Sequence, residues 1–175
     1  SEIYQYDIRL NSSKIYKKSQ ANFESKDYEM RQEFYISKDS TMIPIFIAYK
    51  KGISFDMKRP TLLYWYGGFN IPIKPYFNKS NIILLESGGV YASANIRGGS
   101  EYGQEWHEGG MLLNKQNVFD DFIYAAKYLF REGISSPEFL AIRGGSNGGL
   151  LVGAVVNQRP DLFRVAFPEV GVMDM

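Results

Sequence analysis

Arg143-Gly144-Gly145-Ser146-Asn147-Gly148-Gly149 is the stretch that decides how this chain folds. It contains Gly-x-Ser-x-Gly centred on Ser146. Before it runs Phe139-Leu140-Ala141-Ile142, a short apolar segment that reads as a strand, and after it Gly149 to Asn157 reads as a helix. A chain passing from strand to helix over so few residues must turn sharply, lifting the serine hydroxyl above the sheet. Gly144 and Gly148 carry no Cβ, so strand and helix can approach closely. At the start of the helix, free N–H groups and the dipole favour negative charge, and the Asn147 N–H becomes a candidate donor to an oxyanion. The competing reading is a glycine-rich turn without a catalytic role, for instance a phosphate cradle. The spacing is not Gly-x-Gly-x-x-Gly and no Gly-Lys-Ser/Thr follows, which weakens nucleotide readings.

Working outward, Thr61-Leu62-Leu63-Tyr64-Trp65-Tyr66 after Pro60 and Val90-Tyr91-Ala92-Ser93-Ala94-Asn95 read as buried strands, and Val165-Ala166-Phe167 reads as a further strand. Asn81 to Glu86 is more helical than extended. Val118 to Arg131 is the clearest helix: Val118, Phe122, Ala126 and Leu129 share a face, Asn117 stands at the N-cap, and Gly133 supplies the stop. Asp120 and Asp121 near its start and Lys127 and Arg131 near its end suit the helix dipole. Glu33–Ile36 and Ile43–Tyr49 read as a hairpin about a turn at 37–40, followed by a polar loop, Lys50 to Lys58. Tyr4, Tyr6, Ile8 and Leu10 alternate as in a strand, Lys14 to Lys26 reads as a charged linker, and Arg97 to Gly110 as a glycine-rich loop. Alternating strands and helices predict an α/β domain with a mostly parallel sheet and flanking helices.

The totals exclude several classes. With 175 residues there is room for one core. Twenty Lys+Arg against nineteen Asp+Glu leave no basic footprint for nucleic acid. No apolar run is long enough to span a membrane. One histidine and no cysteine cannot form a zinc set, and no metal or other cofactor is expected. The absence of cysteine fits a cytoplasmic location. The first residues lack both Met and a signal-peptide pattern, so an N-terminus further upstream is expected.

The serine segment, from Arg143 to Leu151, resembles the nucleophile segment of prolyl oligopeptidases. So do Asn157-Gln158-Arg159-Pro160-Asp161-Leu162-Phe163 and Val170-Gly171-Val172-Met173-Asp174-Met175 downstream. Ala94-Asn95-Ile96-Arg97-Gly98-Gly99 with Glu101-Tyr102-Gly103 and Trp106-His107, and Tyr66-Gly67-Gly68-Phe69-Asn70, are further matching blocks in consistent order. The resemblance implies an α/β-hydrolase peptidase domain that cleaves short peptides after proline. Ser146 is then the nucleophile, the Asn147 backbone N–H and the Tyr66 hydroxyl form the oxyanion hole, and Phe69 and Val172 line the proline pocket. By the residues alone, Tyr66 reads as a strand-end aromatic in the core, and ordinary core packing is the competing reading of Phe69 and Val172. The resemblance also implies that residues 1–30 are the exit of a β-propeller or a linker, and that residues 31–175 are the N-terminal portion of the peptidase domain.

A serine needs a base, and in α/β hydrolases the order is Ser, then Asp or Glu, then His. His107 precedes Ser146, so chain order rejects it and leaves it as a loop residue; Asp161 reads as a turn or cap residue after Pro160, and neither it nor Asp174 matches a catalytic position. The hydrolase fold is therefore expected to be incomplete, lacking its C-terminal part. The isolated chain should be nearly inactive. It should also require the remainder of the peptidase, or another copy of itself, to cover the sheet near Val165 and Phe167. A non-catalytic binding subunit and a related acyl hydrolase or esterase are the alternatives.

Overall fold

The structure, a computed structural model, describes residues 2–18, 23–76 and 78–174. Its strands form two sheets. β1 (Glu2–Asp7) and β2 (Ser12–Lys18) make an antiparallel pair with every residue exposed. The other six form one sheet in the order β3-β4-β6-β5-β7-β8. These are β3 (Tyr28–Ile36), β4 (Met42–Lys50), β5 (Thr61–Tyr64), β6 (Val90–Ala94), β7 (Leu140–Gly145) and β8 (Val165–Glu169). The β3–β4 and β4–β6 pairs are antiparallel; β6–β5, β5–β7 and β7–β8 are parallel.

The sequence pattern explains most of these elements. β3 and β4 are joined at a turn where Ser37 N–H donates to the Thr41 carbonyl and Asp39 Oδ1 accepts from Thr41 N–H. Along β4, Ile43, Ile45, Ile47 and Tyr49 are buried and face the major core. Phe46 and Ala48 point the other way, under α1 (Lys79–Glu86), where they border a half-open apolar hollow with Ile82, Leu85 and Tyr91. The major core lies beneath α3 (Lys115–Arg131) and α4 (Asn147–Gln158). Val118, Phe122, Ala126 and Leu129 of α3 meet Leu151, Val152 and Val155 of α4 over Leu63, Ile142 and Ala92. Gly133, at φ +69°, follows the last residues of α3 and ends it as expected.

Several expectations differ from what is observed. The alternation of Tyr4 and Tyr6 ends with β1 at Asp7, and Ile8 and Leu10 fall in the turn. There Asp7 Oδ1 accepts from the N–H groups of Arg9 and Leu10. Lys14–Lys18 is strand rather than linker, because β2 pairs along β1 from Asp7↔Ser12 to Glu2↔Lys18; residues 19–22 of that stretch lie outside the described residues. The long helix starts at Lys115, not Val118, because a 3-10 turn at Leu112–Asn114 runs straight into it. Asn117 is thus no cap: its Nδ2 donates to the Gly109 carbonyl at 3.0 Å and pins the glycine-rich loop instead. That loop itself contains a short helix, α2 (Gln104–Glu108).

Candidate active site

The serine bend is built by steric exclusion. A Cβ on Gly148 would come within 2.5 Å of the Trp65 carbonyl oxygen, and one on Gly144 would collide with the backbone of Gly148. Strand β7, helix α4 and the end of β5 therefore cross with only backbone between them. Ser146 takes up the bend at φ 54°, ψ −115°, a conformation that costs an L-residue on the order of 1–3 kcal/mol. The bend is held from both sides. Ser146 N–H donates to the Glu169 carbonyl at 2.9 Å, tying it to β8, and the Ser146 carbonyl accepts from Gly149 and Leu150 in the first turn of α4. The side chain is left exposed at the carboxyl end of the parallel strands, where open α/β sheets bind ligands.

Beside the bend, β5 is followed by Trp65-Tyr66-Gly67-Gly68. Asn147, the first residue of α4, is buried, and its side chain reaches this strand end: Nδ2 donates to the Tyr66 carbonyl at 2.6 Å. Lys115, the first residue of α3, adds a third element. Its Nζ donates to the Gly67 carbonyl at 3.0 Å and to Asn147 Oδ1 at 3.1 Å. Burial pushes this ammonium below the usual lysine range. Tyr66 and Phe69 bring their rings to 6.4 Å. Phe69, 71% exposed and at φ 55°, lines a cleft with Gly68, His107, Lys115 and Asn147.

Ser146, Asn147, Tyr66 and Phe69 are thus gathered at one end of the sheet. Val172 lies on the segment after β8. That segment is drawn to α4 because Gly171 packs against the backbone of Gly149. Val172 is 49% exposed. His107 sits on α2 rather than in a loop, with Nδ1 at 2.8 Å from the Gly98 carbonyl. Asp161 forms a bidentate ion pair with Arg159 in the turn after Pro160, in keeping with a turn role. No cluster of three or more His, Cys, Asp or Glu groups suited to a metal occurs among the described residues, and no described helix is long and apolar enough to cross a membrane.

Sequence reasoning missed two groups that frame the site. One is Lys115. The other is Asp121, read as an acid near the helix start that suits the dipole, and found fully buried. Its carboxylate accepts from Arg97 N–H, Nε and Nη2 and from Ser37 Oγ, while Arg97 Nη1 also reaches Asp39. The network fastens the glycine-rich loop, from its first residue, to α3 and the β3–β4 turn. Burial alone would raise the Asp39 carboxyl, but hydrogen bonds from Arg97 and Thr41 outweigh it and hold the group at about 2.

Parallel strands flanked by helices, with a serine on a strained strand-to-helix bend at their carboxyl ends, define the α/β-hydrolase class. Comparison with known proteins narrows the class. The model of the prolyl oligopeptidase family matches residues 75–175. The chain is 51% identical over 173 residues to a prolyl endopeptidase of Elizabethkingia meningoseptica, covering 99% of this chain and 24% of that one. It is 55% identical over 156 residues to a prolyl endopeptidase of Dictyostelium discoideum, covering 87% and 20%. Among solved structures, a post-proline cleaving enzyme from Rickettsia typhi superposes with TM-score 0.92 at 43% identity, over 99% of this chain and 25% of that chain. This chain belongs to the prolyl oligopeptidase family. It spans about a quarter of the length of the curated relatives it matches.

Proposed function

We propose that residues 31–175 are the N-terminal portion of the peptidase domain of a serine peptidase that cleaves short peptides after proline. Residues 1–30 are the exit of its propeller or a linker. The observation that carries this reading is Ser146: an exposed hydroxyl on a strained bend at the carboxyl ends of parallel strands, flanked by Asn147 and the Tyr66 strand end. The relatives named as prolyl endopeptidases support the substrate class.

In this reading Ser146 Oγ attacks the carbonyl carbon of a prolyl residue. The developing oxyanion is received by the Asn147 N–H and the Tyr66 hydroxyl. Phe69 and Val172 flank the proline ring. The proton of Ser146 must pass to an imidazole, and His107 is unsuited: it precedes the serine in the chain and its Nδ1 is engaged with the Gly98 carbonyl. The triad Asp and His are therefore supplied from outside these 175 residues, by the remainder of the peptidase or by a second copy. Among the described residues β8 has β7 on one side and no strand on the other, with Val165 and Phe167 43% and 48% exposed, which supports a partner at that edge. The protein is assigned to the cytoplasm on its cysteine-free sequence.

Turnover of a blocked Gly-Pro aryl amide, a Gly-Ala aryl amide and a simple ester tests this. Two proteins are compared: the isolated chain, and a full-length chimera in which the chain replaces the matching segment of the Elizabethkingia meningoseptica enzyme. The isolated chain should be slower by about 10⁴-fold or more, as expected without the base, and the chimera should prefer the prolyl amide. Full turnover by the isolated chain overturns the incompleteness. Ester cleavage without prolyl cleavage by the chimera favours an acyl hydrolase, and inactivity on all three favours a binding role.

A further inference from the structure

Lys115 stands where local energetics disfavour it. It opens α3, so its positive charge lies at the positive end of the helix dipole, and the first turn contains no acidic residue. Burial penalises its ammonium further. No carboxylate pairs with it among the described residues; its partners are two neutral oxygens, the Gly67 carbonyl and Asn147 Oδ1. Local rules broken in this way mark positions where the site, rather than the helix, sets the residue.

We infer that Lys115 is a positioning residue that locks the Tyr66 strand end against the first residue of α4, fixing the spacing between the two oxyanion donors. The inference rests on the proposed oxyanion roles of Tyr66 and Asn147. Three hydrogen bonds close a compact ring. Lys115 Nζ grips the Gly67 carbonyl and Asn147 Oδ1, and Asn147 Nδ2 grips the Tyr66 carbonyl. The Asn147 amide is thereby oriented at both ends. Its acceptor is taken by an ammonium that can only donate and its donor by a carbonyl that can only accept, so the amide cannot flip. The strand end fits against it with no slack: a Cβ on Gly68 would lie 2.5 Å from Asn147 Nδ2, and one on Gly67 would lie 2.7 Å from Val118 of the same helix as Lys115. One donor comes from the segment just after β5 and the other from α4, two elements that share no covalent turn here. Their separation is set by this ring and by the crossing at Gly148.

The geometry predicts an effect on the transition state more than on substrate binding, because the oxyanion exists only when the serine has attacked. In the full-length chimera, Lys115→Met should lower kcat for the prolyl amide about 10–100-fold, short of the roughly 10²–10³-fold for removing an oxyanion donor outright, and change KM less than about threefold. Lys115→Arg, which keeps a charged donor, should recover part of the lost kcat. A general packing role for Lys115 would lower the melting temperature and leave kcat of the folded fraction unchanged; that result, or a rise in KM alone, overturns the inference. Should Lys115→Met fail to accumulate folded, Lys115→Gln is read in the same way. If instead Ser146 of the unsubstituted chimera reacts with no fluorophosphonate, the oxyanion reading itself has failed. If Ser146 reacts and Lys115→Met leaves kcat intact, only the role of Lys115 has failed.

Discussion

The serine bend and the N-terminal hairpin occupy opposite ends of one scale. Around Ser146 the backbone of β7, α4 and β5 is packed so closely that a single methyl on Gly144 or Gly148 meets main chain. Along β1 and β2 every residue is exposed, although Tyr4, Tyr6 and Ile15 are as apolar as many core residues. The strand pattern is present in both. What differs is whether a second layer exists to bury it. A period-two alternation creates a surface able to be covered, and among the described residues no second layer covers this two-stranded ribbon. The bend owes its shape to exclusion; the hairpin owes its shape to turn chemistry at Asp7 and cross-strand pairing, and its apolar side chains remain available.

This contrast can be broken or sharpened by substitution. The largest stability effect should come from Asp121→Ala, which removes the fully buried carboxylate from the Arg97 guanidinium and leaves it only the half-exposed Asp39: a loss of about 3 kcal/mol by chemical denaturation. The equivalent cut in the hairpin ion pair between Lys18 and Glu2, Glu2→Ala, should leave the denaturation midpoint in place because that pair is exposed. Gly148→Ala should cost about 1–3 kcal/mol through the clash with the Trp65 carbonyl, by the same measurement. Deleting residues 2–18 should change the stability of the six-stranded unit by no more than about 0.5 kcal/mol. A larger loss would mean that the hairpin does pack on the rest.

Acid should act at Asp39, beside the buried Arg97. The Asp39 carboxyl is held at about 2 in the fold, below its ordinary 3.8. A depressed carboxylate contributes stability above its unfolded pKa and loses that contribution as pH falls through the folded value. Stability from this group should therefore be level above about pH 5 and decline between about pH 4 and pH 2. The decline should be small, since 44% of the side chain is exposed. It should shrink in Asp39→Asn, read from denaturation curves across that range.

Most of the fold was legible in the sequence because its elements are set by local rules. The buried strands, the glycine-flanked bend and the stop at Gly133 each follow from a short run of residues. Lys115 and Asp121 were not read correctly because their meaning depends on where α3 begins. Once the helix starts at Lys115, positions 115, 118, 122, 125 and 129 fall on one stripe, and Asp121 lies beside it on the buried side. A charge on an apolar stripe was the available signal. It was hidden by placing the N-cap at Asn117, where an amide that serves the neighbouring loop looked like a cap. The hairpin was half legible: its alternation was visible, but Lys14–Lys18 is so rich in charge that only pairing with β1 reveals it as strand. The proline-pocket roles of Phe69 and Val172 came from family likeness, since an exposed aromatic and an exposed valine carry no local signature of a ligand.

The most direct measurement is site mapping of a fluorophosphonate adduct by mass spectrometry, on the isolated chain and on the full-length chimera. The account predicts a single adduct at Ser146 in the chimera, none in its Ser146→Ala variant, and slow or absent reaction in the isolated chain. An unreactive Ser146 in the completed protein, or rapid modification of another hydroxyl in its place, would contradict it.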